Sequence, residues 1–278
     1  KKYLLVLSGD HIYNYRFNGL LENFHGNYGH GSIVLLAQPV KPEEVNNFGI
    51  VQTEPGTTKV TAFFEKPSLE ALTQSIGTYS KNLGIYFGDT GVWERELARE
   101  LEISRGAGRH ETDIGKHLMP RLTAEKNVPL HVFNSDFFWA DVGQIPVYYG
   151  ILRSIFLEGN PNIYTNPKLQ IKKIGQEGRL HHLDETVYFA TEDLENKGGE
   201  INGSIVSPWV RIDRARVIDS FLLGGLRDQP TFVRYNSVIE RAIIDKLCGI
   251  GPNAVITSKN GIVVVVRGTH IPVDTRIE

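Results

Sequence analysis

Two aspartates in this sequence each follow an apolar run, in a position where a carboxylate can reach a metal-bound phosphate. The run Tyr3–Leu7 leads to Asp10, and the aromatic run Phe137–Ala140 ends at Asp141. In α/β sheets, ligands bind at the carboxyl ends of strands, and Mg²⁺ often takes one or two carboxylates together with substrate phosphates. The pair therefore predicts a shared Mg²⁺ site. Two structural alternatives stay open: Asp10 caps a following helix, and Asp141 is a turn residue.

A third candidate is Glu65-Lys66-Pro67, which follows the apolar stretch Val60–Phe64. Lys66 offers a compact cation for a phosphate, and Glu65 offers hydrogen-bond acceptors for sugar hydroxyls. Pro67 disfavours a helical conformation at Lys66 and fixes the direction in which the chain leaves the strand. An exposed surface ion pair is the alternative interpretation of Glu65 and Lys66.

Several other kinds of chemistry lack support in this sequence. No histidine or cysteine spacing matches a zinc site, and no Gly-x-Ser-x-Gly sequence or Walker-type phosphate loop is present. The nucleophile is therefore not expected to be a protein side chain. The net charge of −2 and the lack of a dense basic block argue against nucleic-acid binding.

Composition indicates a soluble globular protein, because hydrophobic residues make up 41% and charged residues 22% of the 278 residues. The single cysteine, Cys248, excludes a disulfide framework and a thiolate metal site, so a reducing, cytoplasmic setting is expected. The longest apolar run, Ile262–Val266, is far too short to span a bilayer.

The strands and helices that position these residues are expected in residues 1–150. This part of the chain alternates short apolar runs with helix-like stretches. This pattern predicts an α/β layer with a largely parallel sheet. Strands are predicted at Tyr3–Leu7, Ser32–Val40, Val60–Phe64, Leu83–Phe87 and Pro129–Phe133. Helices are predicted at Asn18–His25, Val92–Leu101, Asp113–Met119 with Pro120 as the stop, and Val147–Leu157. Residues 151–195 are predicted to be a connector.

Residues 196–278 carry aliphatic side chains at intervals of six. One register comprises Val206, Ile212 and Ile218, and the other comprises Val238, Ile244, Ile250, Ile256 and Ile262. Six is the period of a hexapeptide β-helix, in which each such side chain points into the coil interior. Chance spacing in a β-rich segment is the alternative. Gly224, Gly225 and Pro230 fall between the registers and predict an insertion loop.

Taken in order, these motifs resemble the glucose-1-phosphate adenylyltransferase family over nearly the whole chain. The matching segments are Ser8–Tyr13, Pro42–Val51, Phe64–Pro67, Asn82–Tyr86, Thr112–Pro120, Trp139–Gly143 and the six-residue repeats with Arg241–Lys246. The resemblance implies an α/β fold. Residues 1–150 would form a Rossmann-like nucleotidyltransferase domain that lacks the family's N-terminal nucleotide-binding segment. Residues 196–278 would form a left-handed parallel β-helix.

The resemblance also implies a reaction in which ATP and glucose 1-phosphate give ADP-glucose and pyrophosphate, for glycogen or starch synthesis. Asp10, Asp141 and Lys66 would be the catalytic residues, and the two aspartates would hold Mg²⁺. The sugar phosphate would be bound by Gly49, Glu65, Lys66 and Asn82. The family has Ser where this chain has Asn82.

Further implications concern assembly and completeness. The resemblance implies a homo-oligomer, a tetramer, and a small-molecule allosteric effector that acts through the β-helix. Because the family's nucleotide-cradling loop would precede Lys1, the 278 residues alone are expected to give no measurable ADP-glucose synthesis.

Three other functions stay open. The first is nucleotidyl transfer with another base or sugar, and the second is a non-catalytic regulatory subunit of the same fold. The regulatory subunit predicts loss of Asp10, Asp141 or Lys66, and all three are present. The third is a hexapeptide acyltransferase, which leaves the α/β region and its aspartates unexplained.

Overall fold

A computed structural model describes residues 2–72, 78–134, 136–157, 179–183, 186–190 and 193–278. The chain divides into two compact units, Lys1–Trp139 and Ala140–Glu278. Part of the predicted connector 151–195 lies outside the described residues, so its predicted boundaries stay a prediction. No helix in the described ranges is long and apolar enough to cross a membrane.

The first unit is built on a six-stranded sheet in which the strand order is β5-β4-β6-β3-β7, with β1 also paired to β6. Its strands, with the short strand β2, are β1 (Tyr3–Leu7), β2 (His11–Tyr13), β3 (Ile33–Pro39), β4 (Gly49–Thr53), β5 (Val60–Glu65), β6 (Thr78–Asp89) and β7 (Leu130–Asn134). Strand β8, Trp139–Asp141, contains the boundary between the units. The five strands predicted from apolar runs are all present in this unit.

The sheet is mixed, which corrects the prediction of a largely parallel sheet. Only β3 and β7 pair in parallel, whereas β1, β3 and β4 all run antiparallel to β6, and β4 runs antiparallel to β5. The physical reason is that β6, at twelve residues, is long enough to accept three antiparallel neighbours. A buried strand shows the same apolar run whichever way its neighbours point, so the run alone does not report direction.

Strands β1 and β4 share one edge of β6, because β3 occupies the other edge from Ser80 to Gly88. Strand β4 lies opposite Thr78–Lys81, and β1 lies opposite Ile85–Asp89. Between these segments lie Asn82, Leu83 and Gly84. The carboxyl end of β1 and the amino end of β4 therefore meet at the middle of β6.

Helical elements connect the strands of the first unit, and the last one belongs to the second unit. They are α1 (Asn18–Asn23), a π-helical turn (Phe24–Tyr28), a 3₁₀ helix (Pro42–Asn47), α2 (Leu69–Leu72), α3 (Thr90–Gly106), a second π-helical turn (Ile114–Leu118), α4 (Met119–Glu125) and α5 (Ile145–Phe156). Pro120 was predicted to end a helix, but it lies in the first turn of α4. A proline is tolerated there because the first N–H groups of a helix have no partner within it.

Helices α3 and α4 are joined by a buried ion-pair network. Arg121 donates from Nε to Glu100 Oε2 at 2.7 Å and from Nη1 to Glu96 Oε2 at 3.1 Å. Both glutamates are almost fully buried on α3, and buried charges are tolerated where they are paired and hydrogen-bonded in this way. The network fixes the two helices on either side of the segment that carries Asp113.

The second unit is dominated by short strands, most of which pair in parallel. They are β9 (Arg179–Leu183), β10 (Thr186–Ala190), β11 (Leu194–Lys197), β12 (Glu200–Asn202), β13 (Ser204–Val206), β14 (Val210–Asp213), β15 (Arg216–Ile218), β16 (Phe221–Leu222), β17 (Thr231–Val233), β18 (Val238–Glu240), β19 (Ala242–Ile244), β20 (Gly249–Ile250), β21 (Val255–Ile256), β22 (Val263–Val265), β23 (His270–Ile271) and β24 (Arg276–Ile277). From β10 onward they enter three sheets in strict rotation. This topology is consistent with a parallel β-helix.

Three ladders of aliphatic side chains fill the interior of these coils. The register aligns Val206, Leu222, Ile244 and Val265 in one sheet, Ile212, Val233 and Ile250 in the second, and Ile201, Val217, Ile239 and Ile256 in the third. All of these belong to one buried cluster. Burying such stacked aliphatic side chains is the main stabilising term of a coil of this kind.

The prediction of which side chains point into the coils is partly right. Val206, Ile212, Ile244, Ile250 and Ile256 belong to the interior cluster.

Ile218, Val238 and Ile262 do not belong to that cluster and are only half-buried. The interior positions are instead those of Val217 and Ile239, each adjacent to a predicted residue, because successive side chains of a strand point to opposite faces. The spacing between interior residues is thus not strictly six.

The predicted insertion loop is confirmed. Strand β16 ends at Leu222 and β17 begins at Thr231, and the intervening chain turns back on itself through paired backbone hydrogen bonds between Leu226 and Gln229. Within the same unit, α5 is bound to the coil by Arg153, which donates to Asp219 Oδ1 at 2.7 Å and to Gly203 O at 3.1 Å.

Candidate active site

Strand ends bring together most of the predicted sugar-phosphate residues of the first unit. Glu65, the last residue of β5, pairs with Gly49, the first residue of β4. The next residue, Lys66, is exposed, has a positive φ of 48°, and donates its backbone N–H to Phe48 O at 3.2 Å. This hydrogen bond ties the backbone of Lys66 to the residue that precedes β4.

Two glycines allow the Glu65 carboxylate to lie close to the backbone. A Cβ atom on Gly49 would lie 3.1 Å from Glu65 Oε2 and 2.9 Å from Cζ of Phe63. A Cβ atom on Gly115 would lie 2.9 Å from the same carboxylate oxygen. Glu65 therefore occupies a narrow slot between two chain segments that carry no side chain at the point of contact.

The slot perturbs the acidity of Glu65. Burial raises the pKa of its carboxyl, the Lys66 charge opposes that effect, and the Asp113 carboxylate raises the pKa further. Asp113 caps the π-helical turn, because its Oδ1 accepts the Lys116 N–H at 2.7 Å. Two neighbouring acids in a partly buried site are a common feature of substrate-binding clefts.

Sequence reasoning recorded Thr112–Pro120 only as a helix entry and missed the contact of Asp113 and Gly115 with Glu65. The available signal was local: an aspartate followed three residues later by a residue whose N–H it can cap. The approach to Glu65 itself is a long-range contact, for which the sequence holds no local pattern.

Asn82 presents a buried polar group beside this slot. Its Nδ2 donates to the Tyr86 hydroxyl oxygen at 2.8 Å. Its Oδ1 is buried and has no hydrogen-bond partner among the described residues. An unpaired buried acceptor costs free energy, so it marks a place where a ligand hydroxyl would be favourable.

Tyr86 was not singled out as a site residue by sequence reasoning. Burial raises the pKa of its phenol to about 12, with the Asn82 hydrogen bond acting in the opposite direction. The register of β6 against β3 shifts between Asn82 and Tyr86, where Gly84 has a positive φ of 64°, and this irregularity brings the two side chains within reach of each other. The hydroxyl therefore stays protonated and holds the amide in place.

The first predicted metal ligand lies where β1 ends. Ser8 Oγ donates to Gly84 O at 3.3 Å, which fixes the turn beside the middle of β6. The Asp10 side chain is 62% exposed and lies 3.7 Å from His11 Nε2. Asp10 caps no helix, because β2 follows it directly and α1 begins only at Asn18. The helix-cap alternative is therefore wrong, and the carboxylate is open to solvent.

The second predicted metal ligand, Asp141, is the last residue of β8 and belongs to the second unit. Its Oδ1 accepts the Gly143 N–H at 2.9 Å. The turn-residue interpretation thus describes part of its role. Among the described residues, no group of three or more His, Cys, Asp or Glu side chains is arranged to hold a metal, so a shared Mg²⁺ at Asp10 and Asp141 stays a prediction.

Lys81 is a cation that sequence reasoning did not identify. Its Nζ lies 3.9 Å from Glu44 Oε2, and 5.2 and 5.5 Å from the ring centroids of Phe48 and Trp139. Only 17% of the side chain is exposed. Lys81 lies in the polar half of β6, Thr78–Asn82, so the sequence held no local signal for its burial.

Comparison with known proteins agrees with this architecture. The model of the nucleotidyl transferase family matches residues 1–156. Glucose-1-phosphate adenylyltransferase 2 of Vibrio cholerae is 27% identical over 272 residues, covering 90% of this chain and 63% of the relative. Glucose-1-phosphate adenylyltransferase of Desulfitobacterium hafniense (strain DSM 10664 / DCB-2) is 26% identical over 294 residues, covering 99% of this chain and 67% of the relative.

The chain thus spans about two thirds of the length of these curated relatives. The family match covers more than half of the chain and includes the whole of the unit that holds Glu65, Asn82 and Asp10. The family predicted from the motifs is confirmed. This chain belongs to the nucleotidyl transferase family.

Proposed function

We propose that this chain takes part in sugar-1-phosphate nucleotidyl transfer, with ATP and glucose 1-phosphate as substrates and ADP-glucose and pyrophosphate as products. The observation that carries the proposal is the slot formed by Gly49, Glu65 and Gly115 beside the unpaired Asn82 Oδ1. It offers a carboxylate and an amide oxygen to the hydroxyl groups of a hexose. The names of the Vibrio and Desulfitobacterium relatives support the choice of glucose and ATP.

The proposed substrate-binding residues have separate tasks. Glu65 and Asn82 accept hydrogen bonds from sugar hydroxyls, and the backbone at Gly49, which also leaves room for the Glu65 carboxylate, helps to orient the sugar. Lys66 follows directly after Glu65 and is exposed, so its ammonium can reach the phosphate attached to the same sugar. A point charge on a flexible stem suits a phosphate group, which has several equivalent oxygens.

The proposed reaction is an in-line displacement. A phosphate oxygen of glucose 1-phosphate forms a bond to the α-phosphorus of ATP, and the bond from that phosphorus to the bridging oxygen breaks. The electron pair leaves with pyrophosphate. Because no protein nucleophile takes part, the protein contributes mainly by positioning the attacking phosphate and neutralising its charge. Lys66 is the residue proposed to hold that phosphate.

Asp10 and Asp141 are proposed to hold a magnesium ion. Asp10 is exposed and acidic, and its oxygens are hard ligands of the type that Mg²⁺ takes together with phosphates. Asp141 is proposed as the second carboxylate. When bound, Mg²⁺ would neutralise charge on the phosphates during the displacement. Asp10, Asp141 and Lys66 are therefore the proposed catalytic residues.

The second unit is proposed to be a left-handed β-helix of hexapeptide type that supports assembly. A homotetramer, an allosteric effector acting through the coils, and a role in glycogen or starch synthesis are parts of the same proposal. They rest on the resemblance to glucose-1-phosphate adenylyltransferases and on the parallel coil topology.

Two measurements test the proposed function. Isothermal titration calorimetry of the chain with glucose 1-phosphate, with glucose 6-phosphate as a comparison, tests the sugar-phosphate site directly. A nucleotide-sugar product assay then uses the chain and the complete open reading frame that encodes it, with four nucleoside triphosphates and several sugar 1-phosphates.

We expect the complete reading frame to give ADP-glucose from ATP and glucose 1-phosphate. A different product would identify a nucleotidyltransferase of other specificity. Sugar-phosphate binding without any product from the complete reading frame would identify a non-catalytic regulatory subunit. Absence of sugar-phosphate binding would contradict the proposal.

A further inference from the structure

Lys81, in β6, lies where three segments of the first unit meet, and the proposed reaction gives it no role. Its Nζ atom lies 3.9 Å from Glu44 Oε2 in the 3₁₀ helix. The same atom lies 5.2 Å from the ring centroid of Phe48, which precedes β4, and 5.5 Å from that of Trp139, which begins β8. One ammonium group therefore contacts the 3₁₀ helix, the approach to β4 and the start of β8.

The two aromatic rings beside Lys81 also contact each other. Phe48 and Trp139 meet edge to face, with ring centroids 5.7 Å apart, and Trp139 meets His11 in the same way at 4.9 Å. Edge-to-face pairs are favourable, and a cation near a ring face is attracted to it, more strongly where water is excluded. Only 17% of the Lys81 side chain is exposed. Its charge therefore restrains the orientation of both rings.

The ion pair alone does not explain a lysine at this largely buried position. A buried charge costs free energy unless it is paired and hydrogen-bonded, and 3.9 Å is too long for a hydrogen bond from Lys81 to Glu44. The Glu44 side chain is also 35% exposed, so water weakens the pair. The faces of Phe48 and Trp139 therefore supply much of what holds the ammonium in place.

Phe48 connects Lys81 to the sugar-phosphate residues. The Phe48 carbonyl oxygen accepts the Lys66 N–H at 3.2 Å, and the next residue, Gly49, pairs with Glu65 across β4 and β5. The Glu65 carboxylate packs closely against Gly49, since a Cβ atom there would lie 3.1 Å from its Oε2. A shift of Phe48 would therefore move the backbone that places both Glu65 and Lys66.

Trp139 connects Lys81 to the segments that carry the proposed metal ligands. It precedes Asp141 by two residues in β8, and His11, which it contacts, directly follows Asp10. The Trp139 Nε1 atom is buried and has no hydrogen-bond partner among the described residues. Contacts of its ring, and not a hydrogen bond of its N–H, therefore orient this side chain.

We propose that Lys81 is a positioning residue for sugar-phosphate binding. It holds the rings of Phe48 and Trp139, and through Phe48 it fixes the backbone at Gly49 and Lys66. The proposal rests on the proposed function for the identity of the ligand, glucose 1-phosphate. The contacts of Lys81 with the two rings lie within the first unit and do not depend on that function.

The first test is spectroscopic and needs no substrate. Two-dimensional ¹H–¹⁵N NMR reports the indole N–H groups of Trp93, Trp139 and Trp209 separately, and Trp139→Phe assigns the relevant signal. Lys81→Met removes the charge and keeps a long flexible side chain. We expect it to move the Trp139 signal and to leave those of Trp93 and Trp209 in place. Lys81→Arg keeps a cation that can lie over a ring, so its Trp139 signal should stay near that of the parent.

The second test is calorimetry with glucose 1-phosphate. Lys81→Met should raise Kd about tenfold, and Lys81→Arg should stay within about threefold of the parent. Lys59→Met is the matched control, because it removes the charge of an exposed lysine in the same unit, and it should leave Kd unchanged.

The outcomes separate this proposal from the proposed function. An unmoved Trp139 signal in Lys81→Met would overturn the proposal, and so would a moved signal with the Kd of the parent. If the parent itself does not bind glucose 1-phosphate, the proposed function fails, whereas the Trp139 signal still decides whether Lys81 holds the ring.

A measurement on the parent covers the case in which Lys81→Met does not fold by circular dichroism. Because two ring centroids lie within 5.5 Å of Lys81 Nζ, ring currents should displace the NMR signal of its terminal methylene group from those of exposed lysines. Lys81→Arg assigns that signal, and glucose 1-phosphate should move it. A methylene signal at the position of the exposed lysines would overturn the proposal.

Discussion

The carboxylate of Glu65 lies so close to Gly115 that a methyl group on that glycine would be 2.9 Å from Glu65 Oε2. Gly115→Ala should therefore push the carboxylate out of its slot, since a flexible side chain can move more easily than the backbone. We expect KM for glucose 1-phosphate to rise about tenfold, because a displaced sugar contact weakens the bound geometry. Steady-state kinetics of the active protein measures this. Gly91→Ala is the control, since no atom lies within 4 Å of its added methyl group.

Lys66 is predicted to act on the sugar phosphate alone. Lys66→Ala should raise KM for glucose 1-phosphate about tenfold or more, through loss of a charged hydrogen bond, and leave KM for ATP nearly unchanged. Lys126→Ala is a matched control, because both lysines are exposed and have positive φ, 48° at Lys66 and 55° at Lys126. Equal effects on both substrates would indicate a structural role for Lys66.

Asp141 is predicted to act mainly in the transition state. Asp141→Asn keeps an oxygen that can accept the Gly143 N–H, now at 2.9 Å, but removes the charge. We expect kcat to fall about a hundredfold or more, with little change in sugar-phosphate affinity by calorimetry. The exposed Asp136→Asn serves as the control for a lost negative charge nearby. A fall in affinity without a fall in kcat would contradict the assignment.

Local sequence patterns predicted the strands of the first unit well, but not their directions. The run at Tyr3–Leu7 is β1 in full, because a buried strand needs only apolar side chains. Its antiparallel pairing with β6 depends on contacts between segments far apart in sequence. Pro120 was predicted to end a helix but lies in the first turn of one. Proline is common both in the first turn of a helix and just after its end, so the residue alone does not distinguish the two.

In the candidate site, too, the sequence predicted what depends on a local pattern and missed what depends on a long-range contact. Glu65 and Lys66 were found because a charged pair after an apolar strand is a local pattern. The approach of Gly115 to Glu65 could not be found, because a glycine gives no sign of which side chain fills the space it leaves. In the coils, the six-residue interval identified Ile250 but selected Ile218 instead of Val217, since strand alternation decides which neighbour points inward.

The raised pKa of Glu65 predicts how its replacement affects stability at different pH. Burial is the main cause of the shift from the ordinary value of 4.5. The folded-state pKa lies above that of the unfolded chain, so the group's stabilising contribution is present below 4.5 and is lost as pH rises through the folded pKa. Glutamine does not ionise. Glu65→Gln should therefore gain stability relative to the parent as pH rises above 4.5, measured by urea denaturation.

Glu70→Gln is the opposite control for that experiment. The pKa of Glu70 is lowered by a hydrogen bond from its own backbone N–H and by one from Ser68. Its stabilising contribution is present above the unfolded pKa of 4.5 and is lost as pH falls through the lower folded pKa. This variant should therefore lose stability relative to the parent as pH rises toward 4.5, with no further trend above that pH. If the stability of Glu65→Gln relative to the parent instead falls as pH rises, as expected for Glu70→Gln, then the folded protein stabilises the charged form of Glu65.

The coil interior gives the last prediction. Ile250 is 1% exposed and stacks between Val233 and Ile271. Ile250→Asp would place an unpaired carboxylate among aliphatic side chains, where water cannot solvate it and no cation is present in the interior cluster. We expect the free energy of unfolding of the coil unit to fall by on the order of 4 kcal/mol, measured by urea denaturation followed by circular dichroism.

Val266→Asp is the matched control, because Val266 is 66% exposed in the same unit and accepts the same new charge in contact with water. It should change the free energy of unfolding by less than about 0.5 kcal/mol. Ile250→Val separates loss of volume from burial of charge, since removing one methylene group should cost only about 1 kcal/mol. If Ile250→Asp unfolds at the same urea concentration as Val266→Asp, the side chain of residue 250 does not face a closed interior. The three aliphatic ladders would then not be the source of the coil's stability.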